Sequence, residues 1–244
     1  MAKGLGRPVW GSPAATTDGE GVTIFPAGTV FFEKRRVMTE TISTEQVVME
    51  FRKRLTENPG CAMTHYNLGI ALIKLHQWDD AAAEFLAAIA ESPELAEAYI
   101  NLSGICFQKE EMEKGIELCR RVIAFRADYA VPYGNIGFAY LQMGEIDQAV
   151  EMLEKAVQKD PMFVQALSDL GSAYLRQGKI EDSVTHSKKA IEIAPRFAVA
   201  HNNLAVAYLQ MGDPAKAMEH CEKALEYGYE VHPEFLEELA VLRK

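Results

Sequence analysis

The sequence predicts an all-α chain, a solenoid of five helix-turn-helix repeats of 34 residues with a leading half-repeat helix before them and a capping helix after them. Three observations carry this reading. The segments HYNLGIAL (65–72), YINLSGIC (99–106), YGNIGFAY (133–140), LSDLGSAY (167–174) and HNNLAVAY (201–208) succeed one another at a constant step of 34 without a gap. Each copy divides into two amphipathic windows separated by a short turn. Small residues recur where paired helices must cross: Gly69, Ser103, Gly137, Gly171 and Ala205 on the first helix, and Ala81, Gly115, Ala149, Ser183 and Ala217 on the second.

In chain order, residues 1–43 read as an extended arm. Residues 1–20 are rich in Gly, Pro, Ala and Thr, with Trp10 the one large anchor. Val22, Ile24, Phe25, Val30, Phe31 and Phe32 alternate around Pro26-Ala27-Gly28, a pattern for a short hairpin over 22–32. A lone hairpin is marginal in water, so it needs a surface. That surface is the chain's own leading helices, the groove of a neighbouring copy, or the sheet edge of another protein. The basic run Lys34, Arg35, Arg36 suits contact with acidic repeats.

Residues 44–60 follow as a leading helix, opened by the capping-box pair Ser43 and Gln46 and closed by Pro59 in register with later prolines. The helical pairs are expected at 62–75 with 78–91, 96–109 with 112–125, 130–143 with 146–159, 164–177 with 180–193, and 198–211 with 214–227. Gly144, Gly178 and Gly212 stand where a first helix must end, since glycine accepts the left-handed conformation of such a terminus. By register the repeats are 62–95, 96–129, 130–163, 164–197 and 198–231, with the repeat body over 62–229. Residues 232–244 form the capping helix, starting near Pro233 and apolar along Phe235, Leu236, Leu239 and Leu242.

The formal net charge is −10. Residues 1–43 hold five basic and four acidic residues, so residues 44–244 carry −11. Acidic repeats argue against nucleic acid or an anionic membrane as the main partner. No apolar run is long enough to span a bilayer, and Asp18 and Glu20 interrupt any signal-peptide core. The four cysteines show no C-x-x-C and no metal-ligand spacing, which points to a reducing cytoplasm and to no bound metal or cofactor.

The N-L-G-x-A-[YL] core, the later alanines Ala88, Ala156, Ala190 and Ala224, and the closing Pro93, Pro161 and Pro195 resemble the tetratricopeptide repeat family. The resemblance covers residues 62–229. It implies a right-handed superhelix whose concave groove is lined by the first helices, and a protein-binding role. The second copy departs most, with Ser103 for glycine, Cys106 and Cys119 for large residues, Gly115 for alanine and Ala127 for proline, so looser packing is expected there. Chaperone-binding members of the family grip a terminal carboxylate with basic residues. Here Tyr66, Ile70, Val131 and Gly134 occupy those positions, which argues against a co-chaperone.

Asn67, Asn101, Asn135 and Asn203 share one position of the repeat, with Asp169 in the fourth copy. They either hold neighbouring helices together or form a ladder of amides for the backbone of an extended peptide. The same helix face carries Met63, Tyr66, Ile70 and Lys74; Ile100 and Gln108; Val131, Phe138 and Gln142; Arg176; and Val199, Asn202, Val206 and Gln210. This is an apolar floor with an edge of Lys, Gln and Arg.

No pattern meets the tests for a catalytic site. His65 and His201 fall at packing positions, and adjacent His220 and Cys221 point about 100° apart on a helix, too far to act as base and nucleophile. The leading expectation is therefore a non-enzymatic scaffold or adaptor that binds an extended peptide in the groove and supports complex assembly. The alternative is a self-assembling structural protein, a homo-oligomer whose arms link copies. An enzyme or an enzyme's regulatory subunit is the remaining class.

Overall fold

A computed structural model describes residues 43–242. The arm residues Trp10, Val22, Ile24, Phe25, Val30, Phe31 and Phe32, and the hairpin expected over 22–32, lie outside the described residues. Among the described residues twelve α-helices follow one another: α1 (Thr44–Glu57), α2 (Ala62–Lys74), α3 (Trp78–Glu91), α4 (Ala96–Gln108), α5 (Met112–Phe125), α6 (Ala130–Met143), α7 (Ile146–Lys159), α8 (Val164–Arg176), α9 (Ile180–Ile193), α10 (Ala198–Gln210), α11 (Pro214–Glu226) and α12 (Pro233–Leu242). Each packs on the next, and α2 to α11 form the five pairs of the solenoid. At the front, the Ser43 side chain accepts from the Gln46 amide at 3.3 Å while the Ser43 amide donates to Gln46 Oε1 at 2.8 Å, a complete capping box.

One device ends all five first helices. The amides of Gln77, Glu111, Glu145, Lys179 and Asp213 each donate to the carbonyl five residues back, those of Leu72, Cys106, Tyr140, Tyr174 and Tyr208, at 2.9–3.0 Å. That bond requires a left-handed residue just before the donor. Gly144, Gly178 and Gly212 supply it as expected, with φ of 74–82°. The structure adds two positions that the glycine pattern did not reveal: His76 (φ 57°) and Glu110 (φ 61°) hold the same conformation one repeat apart. The constant step of 34 was the signal that could have found them. A residue with a Cβ pays roughly 1–2 kcal/mol there. Glu110→Gly is therefore expected to stabilise the chain by roughly 0.5–1 kcal/mol after glycine's own entropy cost. A fall in melting temperature would contradict it.

The small residues receive large neighbours. A Cβ added to Gly69 would stand 2.7 Å from the Phe85 ring, and one on Gly137 would stand 2.5 Å from Leu153 Cγ. As expected, α4 and α5 of the second repeat pack less closely than the helices of the other four pairs, yet the space at Gly115 is filled. A Cβ on Gly115 would meet the Phe107 ring at 2.2 Å, so the missing alanine methyl is replaced by a larger partner side chain. Ser103, Cys119 and Val122 are fully buried, and the Cys119 thiol donates to Ser103 Oγ at 3.4 Å. The turn holding Ala127 keeps the bond pattern of its proline-bearing counterparts, Tyr129 N to Arg126 O as Phe163 N to Asp160 O.

Volume is conserved between helices rather than residue by residue. At the far end α12 covers α11 with Leu239, buried, and Phe235 and Leu236, half-buried. Leu242, expected on that side, is 49% exposed because it sits at the last described turn.

Candidate peptide-binding groove

Successive first helices α4, α6, α8 and α10 touch one another, whereas no comparably close approach joins successive second helices among the described residues. Helices that crowd on one side and spread on the other make a stack curved toward the crowded side. The first helices therefore line the inside of the bend. On this face Tyr66, Ile70, Ile100, Val131, Phe138, Val199, Asn202 and Val206 are half-buried and Met63 is 53% exposed. Lys74, Gln108, Gln142 and Gln210 are exposed at its edge. Gly134 is withdrawn from the face, because the Phe163 ring lies where its Cβ would be, at 2.7 Å.

The asparagine register is not a free ladder. Asn203 is 3% exposed. It donates from Nδ2 to the Ser168 carbonyl at 2.9 Å and accepts from Ser172 Oγ at 3.0 Å, so it ties α10 to α8. Asn101 donates to the Glu97 carbonyl at 2.8 Å and approaches the Tyr66 hydroxyl at 3.5 Å. Asn135 reaches the buried Cys119 thiol, whose pKa burial pushes up to about 12. The half-buried Asn67 side chain makes no hydrogen bond within the chain among the described residues. Of the two roles that sequence alone left open, Asn203 thus holds neighbouring helices through a carbonyl of α8, whereas Asn101 bonds a carbonyl of its own helix and reaches α2 only through the Tyr66 hydroxyl.

Asp169 behaves differently from the asparagines it aligns with. It is 6% exposed, and Oδ1 accepts from Gln165 Nε2 at 2.9 Å. Oδ2 makes no hydrogen bond among the described residues. Burial raises its pKa to about 7, only partly opposed by the Gln165 bond, and no charged side chain contributes. With buried Ser168 and Ser172 on the same helix, it makes the fourth repeat a polar notch between apolar repeats. The alignment concealed this, because an Asp in an Asn column reads as a conservative exchange.

Arg176, expected as a groove-edge cation, is committed elsewhere. Its Nη1 donates to the Leu141 carbonyl at 2.7 Å, in the last turn of α6, where a cation is favoured by the helix dipole. His65, Tyr133 and His201 do more than fill space. Each meets the carbonyl six residues earlier, in the preceding turn: Pro59 at 2.8 Å, Ala127 at 3.1 Å and Pro195 at 2.9 Å. His65 also faces Glu84 Oε2 at 2.6 Å; burial opposes its charge, but these hydrogen bonds prevail and its pKa rises.

His220 and Cys221 form no catalytic pair. Cys221 is buried and its thiol is pushed up by that burial. His220 faces His201, Nδ1 to Nδ1 at 3.0 Å, and stacks on Tyr208 with ring centroids 5.6 Å apart. Burial first, then His201, lowers its pKa to about 4, so it is neutral near pH 7. Among the described residues no group of three or more His, Cys, Asp or Glu is placed to hold a metal ion, and no helix is long and apolar enough to cross a membrane.

Sequence models described as tetratricopeptide repeat match residues 66–130 and 198–227, and one described as TPR repeat matches residues 139–178 and 171–212. No curated protein matches the chain. Among solved structures, PilF of Pseudomonas aeruginosa is similar at TM-score 0.70 and 18% identity, over 81% of this chain and 90% of that one. YrrB, described as a TPR protein with an unusual peptide-binding site, is similar at 0.58 and 19% identity, over 81% and 100%. A thermophilic TPR protein of Thermus thermophilus is similar at 0.59 and 22% identity, over 74% and 98%. At these identities the likeness is one of fold.

Proposed function

The chain belongs to the tetratricopeptide repeat family, and from that premise we propose that it is a non-enzymatic adaptor that binds an extended segment of another protein along its first helices. Repeats of this family mediate protein–protein interaction and complex assembly. In this reading residues 62–229 are the binding body, and the helices at 44–60 and 232–244 close its two ends.

The observation that carries the proposal is the row of partly exposed apolar side chains on the inside of the bend: Met63, Tyr66, Ile70, Ile100, Val131, Phe138, Val199 and Val206. Apolar surface left partly exposed among the described residues supports a partner site there. Its exposed edge of Lys74, Gln108, Gln142 and Gln210 offers polar contacts to the backbone of a bound strand. YrrB, a neighbour in fold, has a peptide-binding site of its own, which supports the same class of function here.

The test is selection of a random-peptide library displayed on phage against the immobilised full chain. Enriched peptides are expected to lose at least about tenfold in affinity for Phe138→Glu and Val206→Glu, since a carboxylate placed in an apolar contact costs more than about 1.4 kcal/mol. Both variants should keep the wild-type circular dichroism spectrum. Peptides that bind these variants as well as wild type would show that the site lies elsewhere.

A further inference from the structure

Of the buried polar side chains of the fourth repeat, Ser172 is accounted for by its bond to Asn203, whereas Asp169 meets only Gln165 of its own helix. α6, α8 and α10 touch in sequence, and they carry Asn135, Asp169 and Asn203 at one register. The Asn203 amide bonds Ser168 and Ser172, and Asp169 is the one carboxyl at this register. Its Oδ1 is held by Gln165 from the same helix, while Oδ2 makes no hydrogen bond among the described residues. On the neighbouring helices, four residues before and three after the same register, stand Val131 and Phe138 on α6 and Val199 and Val206 on α10.

A carboxyl nine-tenths buried needs either a proton or a cation. Among the described residues no cation pairs with it. Arg176, on the same helix, donates to the Leu141 carbonyl, and no charged side chain from α6, α8 or α10 contributes to the titration of Asp169. Gln165, which bonds it, is neutral, as are Asn135 and Asn203 at the same register of α6 and α10.

We propose that Asp169 is the specificity determinant of the groove, and that the segment bound there carries a lysine or arginine whose charged head pairs with Oδ2 while apolar neighbours lie on Phe138 and Val206. This rests on the groove reading above and names the partner's chemistry. The acidity of residues 44–244, net −11, draws the same kind of partner from a distance.

Because burial holds the free carboxyl near neutrality, the pairing is linked to protons. At about pH 6 Asp169 keeps its proton and a cation must displace it; at about pH 8 the carboxylate is already formed. Affinity for a basic segment therefore rises with pH across this interval.

The experiment repeats the phage selection on wild type, Asp169→Asn and Phe138→Glu, each as the full chain. Asparagine already stands at the other four positions of the register, so Asp169→Asn is expected to fold, and circular dichroism checks it. Wild type should enrich peptides with Lys or Arg at a fixed spacing from apolar residues, and Asp169→Asn should enrich the apolar part alone. A selected peptide should lose about tenfold in affinity on Asp169→Asn, the worth of one charge-assisted hydrogen bond. It should bind wild type more tightly at about pH 8 than at about pH 6, and its lysine-to-norleucine version should show neither effect.

If the same peptides bind Asp169→Asn undiminished yet still fail on Phe138→Glu, the groove reading stands and the role of Asp169 is overturned. If binding survives Phe138→Glu as well, or nothing is enriched, both fall.

Discussion

Phe85→Ala is expected to cost the fold about 3–5 kcal/mol, the range for deleting a fully buried phenylalanine. The ring is 0% exposed and occupies the space left by Gly69 on the partner helix, with the Tyr66 ring centroid 5.9 Å away. Neither α2 nor α3 can close the gap without shifting against α1 or α4, with which they also pack. Chemical denaturation followed by circular dichroism measures the loss, and a change below about 1 kcal/mol would refute the interlock. Stability in a solenoid is nearly a sum of neighbour terms, so hydrogen exchange should rise first in α1 to α4 and only later in α8 to α11. The interlock also predicts coupling. Gly69→Ala should be costly alone, where its Cβ meets the Phe85 ring, and nearly harmless beside Phe85→Ala.

Asp169→Asn is expected to stabilise the chain in a pH-dependent way. The folded-state carboxyl has a pKa raised to about 7 from an ordinary 3.8. Between these values the folded chain keeps a proton that the unfolded chain has lost, so wild-type stability falls as pH rises through the window and levels off above about 7. Asparagine removes that term. The variant should match wild type near pH 4 and exceed it by roughly 2–4 kcal/mol near pH 8. Denaturation midpoints across the interval decide the point, and parallel curves for the two proteins would show that the carboxyl is not held neutral by the fold. The same substitution that weakens capture of a basic segment should thus strengthen the free protein, a trade that marks a group kept for binding.

Much of the fold was legible because it is local and periodic. Leu68, Leu72 and Phe85 recur at positions 3.6-residue helices place on one side, and the 34-residue step carries that pattern through all five copies. Gly144, Gly178 and Gly212 announced three helix ends; His76 and Glu110 adopt the same conformation without glycine, because the five-residue return bond of the turn holds them there. Gly115 read as a gap in the second repeat, and only the placement of Phe107 against it shows the gap filled. The candidate site was legible in outline. The register pointed to the face formed by Tyr66, Ile70, Phe138 and Val206, but gave no means of ranking the polar groups along it.

The sequence by itself determined the helix order, the pairing of neighbouring helices and the face the first helices share, since these follow from spacing along one chain. The fate of each polar group on that face was decided by tertiary structure alone. Asn203 bonds the Ser168 carbonyl 35 residues away and Arg176 the Leu141 carbonyl 35 residues away. Asp169, one helix turn from the same network, keeps one oxygen without a hydrogen bond among the described residues. Such outcomes depend on ångström-scale offsets between stacked repeats, which set whether a buried group meets a partner within hydrogen-bond reach, and periodicity carries no record of those offsets.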